Sequence, residues 1–109
     1  MGHLIHGVND YLVEDRLLAH LKIVISQKLG RQEAFFLSWS KSAAEGSGRV
    51  CLWVSPYVPL AFKFTADEPP ELNRHWLRAL NALSRSQHGL IAIDEDHAES
   101  FIKNNPDAY

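Results

Sequence analysis

The stretch EAFFLSWSKSAAEGSGRVCLWVSPYVPLAFKF, residues 33–64, decides the fold class. Apolar side chains alternate with other residues along three parts of it, FFLSWS, RVCLWVS and LAFKF. Alternation of this kind is typical of strands that have one buried face. Gly, Ser and Pro are frequent in the segments between the three parts, as they are in turns. Consecutive strands with short connections usually pair with each other, so the stretch predicts a three-stranded antiparallel meander.

Two helices are predicted, one on each side of the meander. Residues 15–30, DRLLAHLKIVISQKLG, place apolar side chains along one side of a helix, with Asp15 as N-cap and Gly30 as the left-handed stop. In residues 68–89, EPPELNRHWLRALNALSRSQHG, Pro70 suits the first helical position and Gly89 suits the end. The apolar stripe predicted for this second helix consists of Leu72, Trp76, Ala79, Leu80 and Leu83.

The remaining segments complete an α+β domain. HLIH and YLVE flank the turn GVND and predict two short strands, and LIAID predicts one more strand after the second helix. The order β-β-α-β-β-β-α-β indicates a two-layer α+β fold, in which an antiparallel sheet carries both helices on one face. We therefore predict a single domain at residues 1–93. Residues 94–109 are predicted to be an acidic, flexible tail with at most one helical turn.

Composition excludes several classes of protein. The chain has 109 residues, of which 46% are hydrophobic and 22% are charged, and its net charge is −2. These values are ordinary for one globular domain and give no overall positive field for nucleic acid. Cys51 is the only cysteine, which rules out an intrachain disulfide and favours an intracellular protein. Because the sequence has no apolar run of about 18 residues and no signal-peptide pattern, we predict a cytoplasmic protein that does not span a membrane.

A sheet that is covered by two helices on one face leaves its second face open. The alternation of the strands predicts that Phe36, Cys51, Trp53 and Ala61 line this second face. An exposed apolar face needs a partner, so we predict a homodimer or another protein partner. The predicted interface consists of Phe36, Trp53 and, on the outer side of the first helix, Ile23. Two alternatives stay open for the aromatic side chains, which are packing in the core and stacking on nucleic-acid bases.

Arg74, Arg78 and Arg85 lie on the side of the second helix opposite its apolar stripe. No carboxylate stands between them at a spacing of three or four residues, where it would neutralise the guanidinium groups. A solvated helix face is the commoner explanation of such a pattern. The alternative is a surface that binds phosphates, which makes nucleic acid a second candidate partner.

Catalytic and metal sites find little support in the sequence. It contains no Walker loop, dinucleotide-binding glycine pattern, HExxH helix or nucleophile elbow. The acidic segment DEDHAE could supply oxygen ligands for a divalent cation, which leaves a metal-dependent enzyme using the cluster from Asp94 to His97 as a third hypothesis. A solvated acidic tail is the simpler interpretation. We therefore predict no catalytic residues, no metal site and no cofactor.

Several segments of the chain together resemble a known family. They are MGHLIHG, LAHLKIVISQKL, FFLSW, GRVCLWVSPYVPLAFKF and PPELNRHWLRAL, which cover most of residues 1–92 but not the tail. They resemble small actinobacterial proteins without an established function, which often carry the label ATP-dependent DNA ligase. That label implies a lysine nucleophile in a Lys-x-Asp-Gly setting. The lysines stand in KIVI, KLGR, KSAA, KFTA and KNNP, so none has this setting. We therefore expect an association with a DNA ligase or with DNA metabolism, and not ligation itself.

Overall fold

The computed structural model describes residues 1–41 and 43–105 of the chain. Within these residues the strands are β1 (Gly2–His6), β2 (Asn9–Val13), β3 (Phe35–Ser40), β4 (Arg49–Val54), β5 (Leu60–Lys63) and β6 (Leu90–Ile91). The helices are α1 (Asp15–Gly30), α2 (Arg74–Leu83) and α3 (Glu95–Asn104), and a 3-10 turn spans Ala43–Glu45. These elements form a single α+β domain, which confirms the predicted fold class.

The described strands form two small sheets and not one. Their orders are β2-β1-β5 and β4-β3-β6. Neighbouring strands are antiparallel except β3 and β6, which run parallel with Leu37 opposite Leu90. The predicted meander is therefore wrong at its third strand, because β5 pairs with β1, where Leu4 lies opposite Phe62.

The connection between β4 and β5 explains this difference. It contains Pro56 and Pro59, which lack backbone N–H donors and fix their own φ angles, so it does not form a tight two-residue hairpin. The chain instead crosses to β1, where the Gly7 N–H donates to the Pro59 carbonyl at 2.9 Å. β5 therefore fills the free edge of β1.

The core lies between the helices and the inner faces of the two sheets. α1 packs against β1 and α2, and α2 packs against β6 and α3. The apolar residues that are buried to at least 98% are Leu4, Leu18, Leu21, Val24, Ile25, Leu37, Val54, Trp76, Ala79, Leu80, Leu90 and Ala98. The apolar side predicted for α1 is thus the buried side. No helix in the described ranges is long and apolar enough to cross a lipid bilayer.

The ends of α1 differ from the prediction. Asp15 is the first helical residue and not the N-cap, and its carboxylate accepts hydrogen bonds from the backbone of Thr65 and Ala66, at 3.1 and 3.0 Å. Asp15 therefore ties the segment after β5 to the start of α1. At the other end, the positive φ angle belongs to Gln32 and not to Gly30.

α2 begins at Arg74, four residues later than predicted. Asn73 is the N-cap, and its side-chain oxygen accepts from the N–H groups of His75 and Trp76. An Asn side chain satisfies the free donors of the first turn, which Pro70 cannot do. Leu72 consequently lies outside the helix and is 46% exposed, whereas Trp76 is buried as predicted.

The acidic segment forms a ten-residue helix, α3, where at most one turn was predicted. Asp94 caps it by accepting from the His97 N–H at 2.8 Å. Ala98 is fully buried, and Phe101 and Ile102 pack partly buried against the core. Residues 94–104 therefore pack against the rest of the domain, while residues 106–109 of the predicted tail lie outside the described residues.

Candidate functional site

The outward-facing side of β3 and β4 carries an exposed aromatic pair. Phe36 lies opposite Trp53 and Ser38 opposite Cys51 in the antiparallel register. Phe36 is 47% exposed and Trp53 is 50% exposed, and their rings contact edge to face with centroids 5.0 Å apart. Cys51 is also exposed. We call this surface, defined by Phe36, Cys51 and Trp53, the aromatic face.

The strand alternation explains why these side chains point outward. Leu37 and Leu52 are buried, so their neighbours along each strand must point the other way. The sequence predicted this exposure for Phe36, Cys51 and Trp53. Ala61 was grouped with them wrongly, because β5 belongs to the other sheet, where Ala61 lies opposite Ile5 of β1.

One end of the free edge of β4 is closed by His6. The Lys41 N–H donates to the Gly48 carbonyl, so Gly48 bonds to the strand beside it. Along an antiparallel pair, residues that bond to the partner strand alternate with residues that do not. The backbone groups of Arg49, Cys51 and Trp53 therefore point away from β3. The His6 ring nitrogen Nε2 lies 2.7 Å from the Trp53 carbonyl oxygen and donates to it. A covered strand edge resists pairing with another chain. His6 therefore blocks backbone pairing with another strand at the Trp53 end of this edge.

The three arginines do not form a continuous row. Arg74 is exposed in the first turn of α2, Arg78 is half-buried, and Arg85 is exposed beyond the helix end at Leu83. At about 1.5 Å per residue, Arg74 and Arg85 lie on the order of 15 Å apart along the chain direction. The prediction that all three face outward on one helix is thus met only by Arg74. Whether they bind phosphates stays a prediction.

The acidic residues Asp94, Glu95 and Glu99 cap α3 and bind it to α1 and to the start of α2. Asp94 caps α3 and pairs with its own His97, with Oδ1 and Nδ1 2.6 Å apart. Glu95 accepts from Arg16 of α1 at 2.5 Å and from the Asn73 side chain at 2.7 Å. Glu99 accepts from Asn73 at 3.2 Å and pairs with His75.

The electrostatics of these carboxylates agree with that role. The side-chain hydrogen bond from Arg16 lowers the pKa of Glu95, and the backbone N–H of His97 lowers the pKa of Asp94. Both groups therefore stay ionised at neutral pH and bind cationic or N–H donors of the protein itself. Throughout residues 1–41 and 43–105, no three His, Cys, Asp or Glu side chains are grouped so that they could hold a metal ion.

A family model described as a domain of unknown function (DUF7882) matches residues 1–95. The chain belongs to the DUF7882 family. No curated protein and no solved structure matches it. Membership of a family without a known function agrees with the resemblance noted above. The family description names neither a ligase nor a bacterial group, so the link to DNA ligation stays a prediction.

The DUF7882 match includes the aromatic face, α1 and α2, and ends at the first residue of α3. It also includes Ile23, the third residue of the predicted interface. Ile23 is half-buried in a groove of about 300 Å³ between α1 and the segment after β5, which Phe64 and Leu72 also line. Neither Phe36 nor Trp53 lines this groove. The predicted interface residues therefore fall on two separate surfaces of the DUF7882 domain.

The positions of His20 and Asn73 did not follow from the sequence. Helical spacing placed His20 on the outer side of α1 with Ile23, which is wrong, and it did not single out Asn73. His20 is fully buried, and its Nε2 accepts from the Asn73 backbone N–H at 2.8 Å. The two residues are 53 positions apart, so no local pattern connects them. The sequence offered only two separate local signals for this contact. One is a histidine within the apolar helix α1, and the other is an asparagine just before α2, where an N-cap is expected.

Proposed function

We propose that this DUF7882 domain is a non-catalytic binding module that forms a homodimer through its aromatic face. The observation that supports the proposal is the exposure of Phe36 and Trp53, which are paired across two strands. Among the outward side chains of β3 and β4, Arg49 alone is charged, and it lies at the far end of the hairpin. Interface centres are likewise poor in charge and rich in aromatic residues.

The energetics favour covering this face. Burying the exposed half of an aromatic side chain removes on the order of 100 Å² from water, which contributes about 2–3 kcal/mol per ring. A twofold dimer uses the same patch on both subunits and would cover two such pairs at once.

The non-catalytic part of the proposal rests on the engagement of the acidic side chains. Asp94, Glu95 and Glu99 each have a partner within the protein, and the sequence has no motif for a nucleophile or a nucleotide. A cytoplasmic location belongs to the same proposal and is supported by the single cysteine, Cys51.

The test is the oligomeric state of the purified chain, measured by light scattering coupled to size exclusion over a range of concentrations. We expect a dimer for the wild type and a monomer for Phe36→Ala and Trp53→Ala. Tyr57→Ala is the matched control, because Tyr57 is 91% exposed but lies outside the aromatic face. A wild-type monomer at high concentration would contradict the proposal, as would dimers that survive both substitutions.

A second candidate function is a nucleic-acid accessory module that binds phosphates through Arg74, Arg78 and Arg85. The observation in its favour is that Arg74 and Arg85 are exposed within one short segment. An association with a DNA ligase, as the resemblance implies, would fit this candidate. The structure weakens it in one respect, because Glu95 and Glu99 of α3 lie close to the start of α2.

A further inference from the structure

His20 is held in one protonation state by its two neighbours. The ring is fully buried, with Nδ1 2.6 Å from the Arg16 carbonyl oxygen and Nε2 2.8 Å from the Asn73 backbone nitrogen. A carbonyl oxygen only accepts and a backbone N–H only donates. Nδ1 therefore carries the proton, and Nε2 must keep its lone pair. His20 is thus neutral, and its second ring nitrogen is an obligatory acceptor.

Asn73, which donates to His20, stands where three helices meet. Its side-chain oxygen caps α2, and its side-chain nitrogen donates to Glu95 and Glu99 of α3. The His20 ring also stacks on Trp76 of α2, with centroids 4.3 Å apart. A change at His20 therefore acts on the entry of α2 and, through Asn73, on α3.

We propose that His20 is an acid-sensitive latch, which releases the start of α2 and the attached α3 from α1 when its Nε2 takes a proton from solvent. Protonation turns Nε2 from an acceptor into a donor that faces the Asn73 N–H, so this hydrogen bond is lost. The same step places a cation among buried groups, which costs free energy unless the site opens. Opening lets water solvate the charged ring.

The charged groups around His20 come from α1, α3, α2 and the segment that precedes α2. Arg16 of α1 disfavours a second cation and lies over the same Trp76 ring at 5.6 Å. Glu95 of α3 favours the cation, but it is already paired with Arg16. Glu71, whose carbonyl oxygen accepts from Arg16, precedes the cap, and the pair of His75 with Glu99 follows it. Asp94 and its partner His97 complete the set at the start of α3.

The balance of these groups sets the direction of the response. Burial, the largest effect, lowers the pKa of His20 below its ordinary 6.5, against a smaller opposing effect of the hydrogen bond to the Arg16 carbonyl. A lowered pKa means that the contribution of neutral His20 to stability is complete above pH 6.5 and is lost as the pH falls through the folded-state pKa. The pKa values of Glu95 and Glu99 are lowered from 4.5, so these carboxylates respond only at lower pH.

The test is amide hydrogen exchange by NMR between pH 7 and pH 5, corrected for the intrinsic rate. Protection of the Asn73 and Trp76 amides should fall at least about tenfold on acidification, while the amides of Leu37 and Leu52 keep theirs. His20→Gln has no proton to gain in this range and should show no such fall. His88→Gln is the matched control at an exposed histidine and should behave as the wild type does.

If His20→Gln does not fold, the pKa of His20 is measured instead in the wild type, from the NMR titration of its ring protons. The latch requires a His20 pKa below that of an unfolded histidine and a loss of Asn73 protection that follows the same curve. A His20 pKa at or above the unfolded value would overturn the proposal. Protection of Asn73 that is unchanged while His20 titrates would also overturn it.

Discussion

Trp53 and Trp76 are the same side chain in opposite surroundings. Trp76 is 2% exposed, stacks on His20 and donates from its indole nitrogen to the Ile93 carbonyl at 2.9 Å. Trp53 is 50% exposed and contacts Phe36 edge to face. Both lie in apolar sequence patterns. The first contributes to folding, while the second, on our proposal, contributes to association.

Matched alanine substitutions separate these two roles. Trp76→Ala should lower the free energy of unfolding by about 3–5 kcal/mol, because it empties a buried site and leaves the Ile93 carbonyl without its donor. Trp53→Ala should cost less, at most about 2–3 kcal/mol in the isolated subunit, since half of its surface is already in water. Urea unfolding at a fixed low protein concentration measures both values. Equal losses would contradict the assignment of Trp53 to a binding surface.

At the scale of the elements, local sequence predicted the faces of helices and strands better than their ends. The apolar side of α1 and the outward position of Phe36 follow from a periodicity within one element. The start of α2 was predicted from Pro70, whereas the side chain of Asn73 caps the helix three residues later. The length of α3 was underestimated, because its acidic residues outweighed the spacing of Ala98, Phe101 and Ile102.

α2 also carries the prediction about nucleic acid. Because Arg85 lies beyond the helix end and carboxylates of α3 lie near its start, we expect a solvated surface that binds double-stranded DNA weakly or not at all. The measurement is a binding titration at two salt concentrations. Wild type should match the triple variant Arg74→Ala, Arg78→Ala, Arg85→Ala. It should also match the charge-matched triple variant Lys22→Ala, Arg49→Ala, Lys63→Ala at exposed positions elsewhere.

A clear departure from this expectation would establish the alternative function. If the arginines bind phosphates, affinity falls steeply with salt, because each neutralised phosphate releases counterions. Only the triple variant at Arg74, Arg78 and Arg85 would then show a weaker dependence of DNA affinity on salt. The slope of log affinity against log salt would fall by up to about 0.9 for each lost contact. The charge-matched variant would keep the wild-type slope.

At the scale of the whole molecule, the sequence predicted the fold class but not the partners of each strand. β5 pairs with β1 across more than fifty residues, and β6 runs parallel to β3. Such pairings depend on which edges stay free after the local hairpins form, and alternation within one strand carries no information about that. The same limit applies to the candidate sites. The exposure of Phe36 follows from one strand, whereas the junction of His20 with Asn73 requires the assembled helices.

The lysines of the chain also test the ligase label of the proteins that it resembles. Enzymatic adenylation needs a nucleophilic lysine beside groups that bind a triphosphate and its metal ion. Lys28, whose side chain is 7% exposed, pairs with Glu33 at 3.2 Å and lies 5.2 Å from the centre of the Phe35 ring. These contacts give Lys28 a structural role. Lys22 and Lys63 are exposed on separate elements, α1 and β5.

We therefore expect no covalent adenylate when the pure chain is incubated with ATP and Mg²⁺. Intact-mass spectrometry after heat denaturation is the measurement, because a phosphoramidate bond to lysine survives unfolding and a bound nucleotide does not. A DNA ligase treated in the same way is the positive control for the chemistry, and Lys28→Ala is the matched variant for the buried lysine. An adenylated species that the wild type forms and one Lys→Ala variant loses would show a nucleophile that no Lys-x-Asp-Gly motif announces. That result would also replace the binding module with an enzyme, since only a reacting lysine would explain the bond.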